Sequence, residues 1–203
     1  MKKMWKPSWK LFNLSLLCVA GILMSDGLWV YAKAELAQLL IERAWQQTLD
    51  KQASVKPWPW ADTWPVARLQ LDHYGVDLYV LNGIVGSTLA FGPGAIMGQD
   101  WRVDSPEFIA GHRDTHFKFM RDLKINDTLT LGNVFGVKTN YRVVELSIVD
   151  SRQAELSPAL SGSELTLITC YPFDAIMAGG PLRYVVKTES LDHNNNRLHS
   201  WSL

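Results

Sequence analysis

The sequence predicts an all-β domain behind an N-terminal apolar helix. After Trp64 the apolar residues recur on period two rather than on a helical period, and the short runs are separated by Gly, Pro, Asn and Asp. Residues 11–32, by contrast, form one largely apolar stretch. Seven or eight short strands in about 125 residues suggest a closed barrel or a sandwich. Hydrophobic residues make up 47% of the 203 and charged residues 20%, a globular composition sufficient for one domain of ordinary size plus an appendage. Lys plus Arg and Asp plus Glu both count 20, so there is no basic excess and no nucleic-acid partner is expected.

Residues 1–10 carry Lys2, Lys3, Lys6 and Lys10 without an acid, which predicts a cytoplasmic N-terminus. Residues 11–32 would span about 33 Å as a helix, close to the thickness of a bilayer's hydrocarbon core, and are expected to form a transmembrane anchor. Trp29 and Tyr31 suit the far interface, and Asp26 is the awkward residue. On this reading the protein is a single-pass inner-membrane protein with its domain on the extracytoplasmic side. A cleaved signal peptide competes, because Ala32-Lys33-Ala34 resembles a cleavage site, but that site lies well past the compact apolar core Leu14 to Ser25. Cys18 is not a lipid attachment site, since Leu17 precedes it where a small residue is wanted.

Residues 33–64 begin with helix formers in an amphipathic pattern at Leu36, Leu39, Leu40 and Trp45. Lys56-Pro57-Trp58-Pro59-Trp60 breaks that pattern and reads as a linker that packs on its own domain or sits at the membrane interface. Residues 65–190 form the domain. Its expected strands are Val66–Leu71, Val76–Leu81, Glu107–Ala110, Thr128–Leu131, Tyr141–Asp150, Leu165–Thr169 and Arg183–Thr188. Turns are expected at His73-Tyr74-Gly75, Asn82-Gly83, Gly92-Pro93-Gly94, Asn126-Asp127 and Ser161-Gly162-Ser163, with one short helix over Phe117–Leu123. Residues 191–203 are a polar tail whose His193 and His199 lack ligand spacing.

Three residues stand out chemically. Cys170 ends an apolar β-run and is followed at once by Tyr171-Pro172. Taken alone it could be a buried, inert thiol. Arg183 opens the next β-run after a Gly179-Gly180-Pro181 turn, so neighbouring strands would put a permanent cation beside the thiol. His112 follows an apolar run and Gly111, where a side chain has room to project. An ordinary thiol is only about 3% thiolate at pH 7, and a neighbouring imidazolium and guanidinium both favour the anion. The His can then protonate a leaving amine, and the Arg can donate to a developing oxyanion.

Ala110-Gly111-His112-Arg113-Asp114-Thr115-His116-Phe117, Thr166-Leu167-Ile168-Thr169-Cys170-Tyr171-Pro172 and Arg183-Tyr184-Val185-Val186 together resemble the sortase signature, in the family's order. The resemblance covers most of Val66 to Thr188, and the first string looks most like class D sortases and the related sortases of Gram-negative bacteria. It implies an eight-stranded β-barrel and a catalytic Cys170, His112 and Arg183. It also implies cleavage of a secreted protein's C-terminal sorting signal, often of Leu-Pro-x-Thr-Gly type, through a Cys170 thioester resolved by an amine. Family enzymes are thought to work through a thiolate–imidazolium pair present in a minority of molecules. Phe91-Gly92-Pro93-Gly94 resembles a family segment in which a His often follows; here Ala95 stands instead. His116 reads as a supporting residue.

The nearest rival is a hydrolytic cysteine protease using the same three residues, and a more remote one is a non-catalytic membrane-tethered β-domain. An L,D-transpeptidase would need a Ser-x-Gly-Cys-type block, and papain-like enzymes place Cys before His. No cofactor is expected. Zinc is disfavoured because His112, His116 and Cys170 supply at most three ligands and there is no Cys-x-x-Cys.

Overall fold

The computed structural model describes residues 9–95, 106–153, 164–175 and 179–191. The expected turn at 161–163, the tail beyond Leu191 and the lysines at positions 2, 3 and 6 lie outside the described residues. Contacts divide the chain into two units, Met1–Leu39 and Leu40–Leu203.

Helix α1 runs without a break over Trp9–Lys51. In the first unit, Leu11, Phe12, Leu14, Leu16 and Leu17 are all exposed. At 100° per residue these positions cover every side of the helix rather than one stripe. The structure nevertheless departs from the expected span at 11–32, because among the described residues no helix is long and apolar enough to cross a membrane. The helix has the length. Its apolar run is diluted by Asn13, Ser15, Gly21, Ser25, Asp26 and Gly27.

In the second unit the last turns of α1 bury Ile41, Ala44, Trp45 and Thr48, an i, i+3, i+4, i+7 stripe. Of the expected pattern this stripe keeps Trp45, whereas Leu36 and Leu39 are exposed and Leu40 is half-buried. Trp45 meets Tyr79 with ring centroids 6.2 Å apart. Trp58 of the linker packs edge-on against Phe91 at 5.0 Å, while Trp60 is exposed.

The strands are β1 (Pro65–Leu71), β2 (Val76–Asn82), β3 (Gly94–Ala95), β4 (Phe108–Ala110), β5 (Thr128–Asn133), β6 (Lys138–Asp150), β7 (Glu164–Cys170) and β8 (Leu182–Ser190). They close into a barrel in the order β1-β2-β3-β4-β7-β8-β6-β5, so the choice between barrel and sandwich is resolved. Closure removes the unpaired edges that an open sheet would expose. All seven expected strands are present within a few residues. The expected helix at 117–123 is a 3-10 helix over Lys118–Asp122.

Strand β3 and a short helix α2 (Gly86–Leu89) were not expected. Two residues cannot display a period, and β3 exists because it is gripped on both sides, parallel to β2 and antiparallel to β4. Gly94 permits this: a Cβ there would run into the carbonyl oxygen of Gly83.

The barrel interior holds Leu69, Leu71, Ile109, Phe117, Leu165, Leu167 and Val186, each at most 1% exposed. Full burial of one such aliphatic or aromatic side chain contributes roughly 1.5–3 kcal/mol. Ile109, Leu165 and Leu167 anchor β4 and β7 from within, and those two strands carry the site on their other face.

Candidate active site

Strand β7 pairs antiparallel with β8, and Cys170 stands directly opposite Arg183. Opposed residues of a ladder point to the same face, with Cβ atoms about 4.5–5.5 Å apart. The face follows from the alternation. Leu165 and Leu167, with Val186 opposite Leu167, point into the core, so Ile168, Cys170, Val185 and Arg183 point outward. Cys170 and Arg183 are both partly exposed.

His112 approaches the same barrel end from the other side. Strand β4 lies parallel to β7 with Ala110 opposite Ile168, and Gly111 N donates to the Ile168 carbonyl at 3.1 Å. Thr169 Oγ1 donates to the Gly111 carbonyl at 2.7 Å, so the chain leaves β4 at His112 beside the end of β7. His112 is exposed. The three sequence-predicted residues thus come together at one barrel end, from three neighbouring strand ends.

The neighbours set geometry and charge. Arg183 Nη1 donates to the carbonyls of Gly180 (2.6 Å) and Leu182 (2.9 Å), which fixes one end of its fork. Nearby Asp150 is pulled down to about 2, chiefly by hydrogen bonding from Arg152 and to a smaller extent by the Arg183 charge. The turn after β4 is tight, with Phe117 N donating to the His112 carbonyl at 3.0 Å. A Cβ on Gly111 would sit 2.7 Å from the buried Phe117 ring, so only glycine fits before His112. His116 is partly buried, and burial, followed by the charge of His112, pushes its imidazole pKa below the usual value. That favours a neutral His116 beside His112, in keeping with a supporting role.

The profile of the sortase domain family matches residues 69–191, more than half of the chain. The chain belongs to the sortase family. Sortase D of Bacillus subtilis (strain 168) is 28% identical over 120 residues, which cover 58% of this chain and 60% of that relative's length. A Clostridium perfringens sortase D5 transpeptidase superposes with a TM-score of 0.58 at 16% identity, over 77% of this chain and 99% of the other. Sortase A from Corynebacterium diphtheriae gives a TM-score of 0.55 at 19% identity, over 77% and 84%. At these identities the structural likeness establishes the shared barrel. The sortase D match is consistent with a class D-like member.

Within this sortase domain the departure at Ala95 falls on β3, where the side chain is fully buried in the core beside Ile109. Sequence reasoning missed two groups at the site. Arg113, taken as part of a polar loop, is only 6% exposed and bonds to the loop after Cys170. Tyr171, Phe173 and Tyr184 form a ring cluster at the same barrel end, with centroids 5.2 to 6.3 Å apart. The one legible signal was the place of Arg113 directly after His112. Among the described residues no group of three or more His, Cys, Asp or Glu is gathered as a metal site.

Proposed function

We propose that this sortase is a cysteine transpeptidase using Cys170 as nucleophile, His112 as proton shuttle and Arg183 as oxyanion donor. The observation that supports it best is the outward-facing pair of Cys170 and Arg183 at the ends of β7 and β8, with the chain leaving β4 at His112 alongside. The Cys170 thiolate attacks the carbonyl carbon of the scissile peptide, forming a C–S bond and an oxyanion that Arg183 stabilises. The C–N bond breaks as His112 protonates the leaving amine. An acceptor amine then attacks the thioester, loses its proton to His112 and expels the thiolate. The substrate class is a secreted protein bearing a C-terminal sorting signal.

Transfer is distinguished from hydrolysis by competition at one acyl carbon. Water is present at roughly 55 M, so a millimolar amine prevails only where the site positions it, a benefit that reaches about 10⁵–10⁸ M in effective molarity. The expected result is a thioester at Cys170 that persists in water and discharges faster with a suitable amine. Product partitioning across glycine peptides, lysine and peptidoglycan fragments measures this. Exclusive hydrolysis with every amine would instead make the chain a protease.

We also propose that the chain is held at the inner membrane through the apolar N-terminal half of α1, with the barrel on the extracytoplasmic side. The exposed apolar side chains on all sides of that half support it, together with the lysines that precede it. Alkaline carbonate should leave the full chain in the membrane fraction, and external protease should digest the barrel in spheroplasts. Release by carbonate, or a protected barrel, would refute it.

A further inference from the structure

His112 and Cys170 are tied together on both sides. On the strand side, Thr169 Oγ1, buried, donates to the Gly111 carbonyl at 2.7 Å, joining the residues that immediately precede the two. On the loop side, Arg113 Nη1 donates to the Pro172 carbonyl (2.6 Å) and Nη2 to the Ala175 carbonyl (2.7 Å), while Nε meets Asp114 Oδ1 at 3.1 Å. Ala175 N also donates to the Pro172 carbonyl at 3.3 Å, so the guanidinium spans both ends of one turn. Phe173, inside that turn, packs against Tyr184, the neighbour of Arg183, at 5.2 Å.

We propose that Arg113 is a positioning residue of the reaction, whose planar fork locks the loop after Cys170 to the loop carrying His112 and so holds thiol and imidazole at one separation. This rests on reading Cys170 and His112 as the reacting pair. The side chain is too buried to be a substrate contact, and its carboxylate partner Asp114 is mostly exposed. A buried cation is costly unless its donors are satisfied, and Arg113 meets that cost by gripping two carbonyls of a single turn. Lysine keeps the charge but cannot present two coplanar donors to both carbonyls. A displacement of about 1 Å between reacting groups can cost on the order of 10²-fold in rate.

The test is single-turnover acylation of Cys170 in the full chain by a sorting-signal peptide that the wild type cleaves, read by intact mass, together with kcat and KM for the same peptide. Wild type, His112→Ala and Arg113→Lys are compared, with melting temperature measured in parallel. His112→Ala is expected to slow acylation by at least about 10²-fold, as the leaving amine loses its proton donor. Arg113→Lys is expected to lose about 10²-fold in kcat with KM within a few-fold of wild type, in a protein that remains folded. An Arg113→Lys kcat within a few-fold of wild type beside a slowed His112→Ala overturns the inference alone. A His112→Ala protein that acylates at the wild-type rate overturns the catalytic reading beneath it. Should lysine prevent folding, Arg113→Ala is refolded with millimolar guanidinium to fill the vacated site. Recovery of the wild-type rate then supports the proposal, and failure to recover it assigns Arg113 to the fold.

Discussion

Cys170→Ala is expected to remove both transfer and hydrolysis while leaving the barrel folded. A nucleophile that forms the covalent intermediate has no substitute, and losing one costs on the order of 10⁶-fold in turnover where it has been measured in a comparable covalent mechanism. The structural cost is small for a geometric reason. Cys170 is the last residue of β7, its side chain faces outward and is partly exposed, and the core contacts of that strand are made by Leu165 and Leu167. Removing one sulfur there forfeits roughly 1 kcal/mol or less, which for a domain of this size moves the melting temperature by about 2–4 °C. Turnover of a sorting-signal peptide and thermal unfolding are measured side by side, with intact mass to detect the wild-type thioester. A Cys170→Ala protein that still cleaves the peptide would refute the nucleophile assignment. One that is inactive only because it has unfolded would return Cys170 to the status of a structural thiol.

Arg183→Lys should lose roughly 10²- to 10³-fold in kcat/KM, equivalent to about 2.7–4 kcal/mol of transition-state stabilisation. Charge is conserved in this substitution, so the loss isolates the fork. In the structure Nη1 is held by the carbonyls of Gly180 and Leu182, which anchors the guanidinium and lets it present its remaining donors in a fixed plane. A lysine ammonium must choose between satisfying those carbonyls and reaching the oxyanion. Steady-state kinetics on the same peptide, with melting temperature as the control, checks this. Rates within a few-fold of wild type would show that Arg183 acts as a diffuse cation or not at all.

Much of this was legible in the chain because it is local. Period-two runs marked seven strands to within a few residues, since alternation follows directly from which side chains face the barrel interior. A residue at a strand end announces itself by where the apolar run stops, and Cys170, His112 and Arg183 were found that way. The partial failures concern α1. The sequence marked an apolar segment at 11–32 and an amphipathic one after it, which the structure joins into one helix. The buried stripe keeps Trp45 but adds Ile41, Ala44 and Thr48 in place of Leu36 and Leu39. Several registers were open to a helix with apolar residues at so many spacings, and packing within the second unit chose one.

The sequence by itself determined that a sortase-like set of Cys, His and Arg sits at strand ends in an all-β domain. The tertiary structure decided the pairings. Local patterning carries no information about which distant strands lie side by side, so the parallel match of β4 to β7, which brings the loop that begins at His112 beside the end of β7, emerges only when the barrel closes. The same is true of β3, two residues long and defined by its neighbours, and of Arg113. Its sequence context reads as a polar loop. Its burial and its hold on Pro172 and Ala175 exist because closure of the barrel sets two remote loops against each other, and a buried guanidinium must find acceptors there.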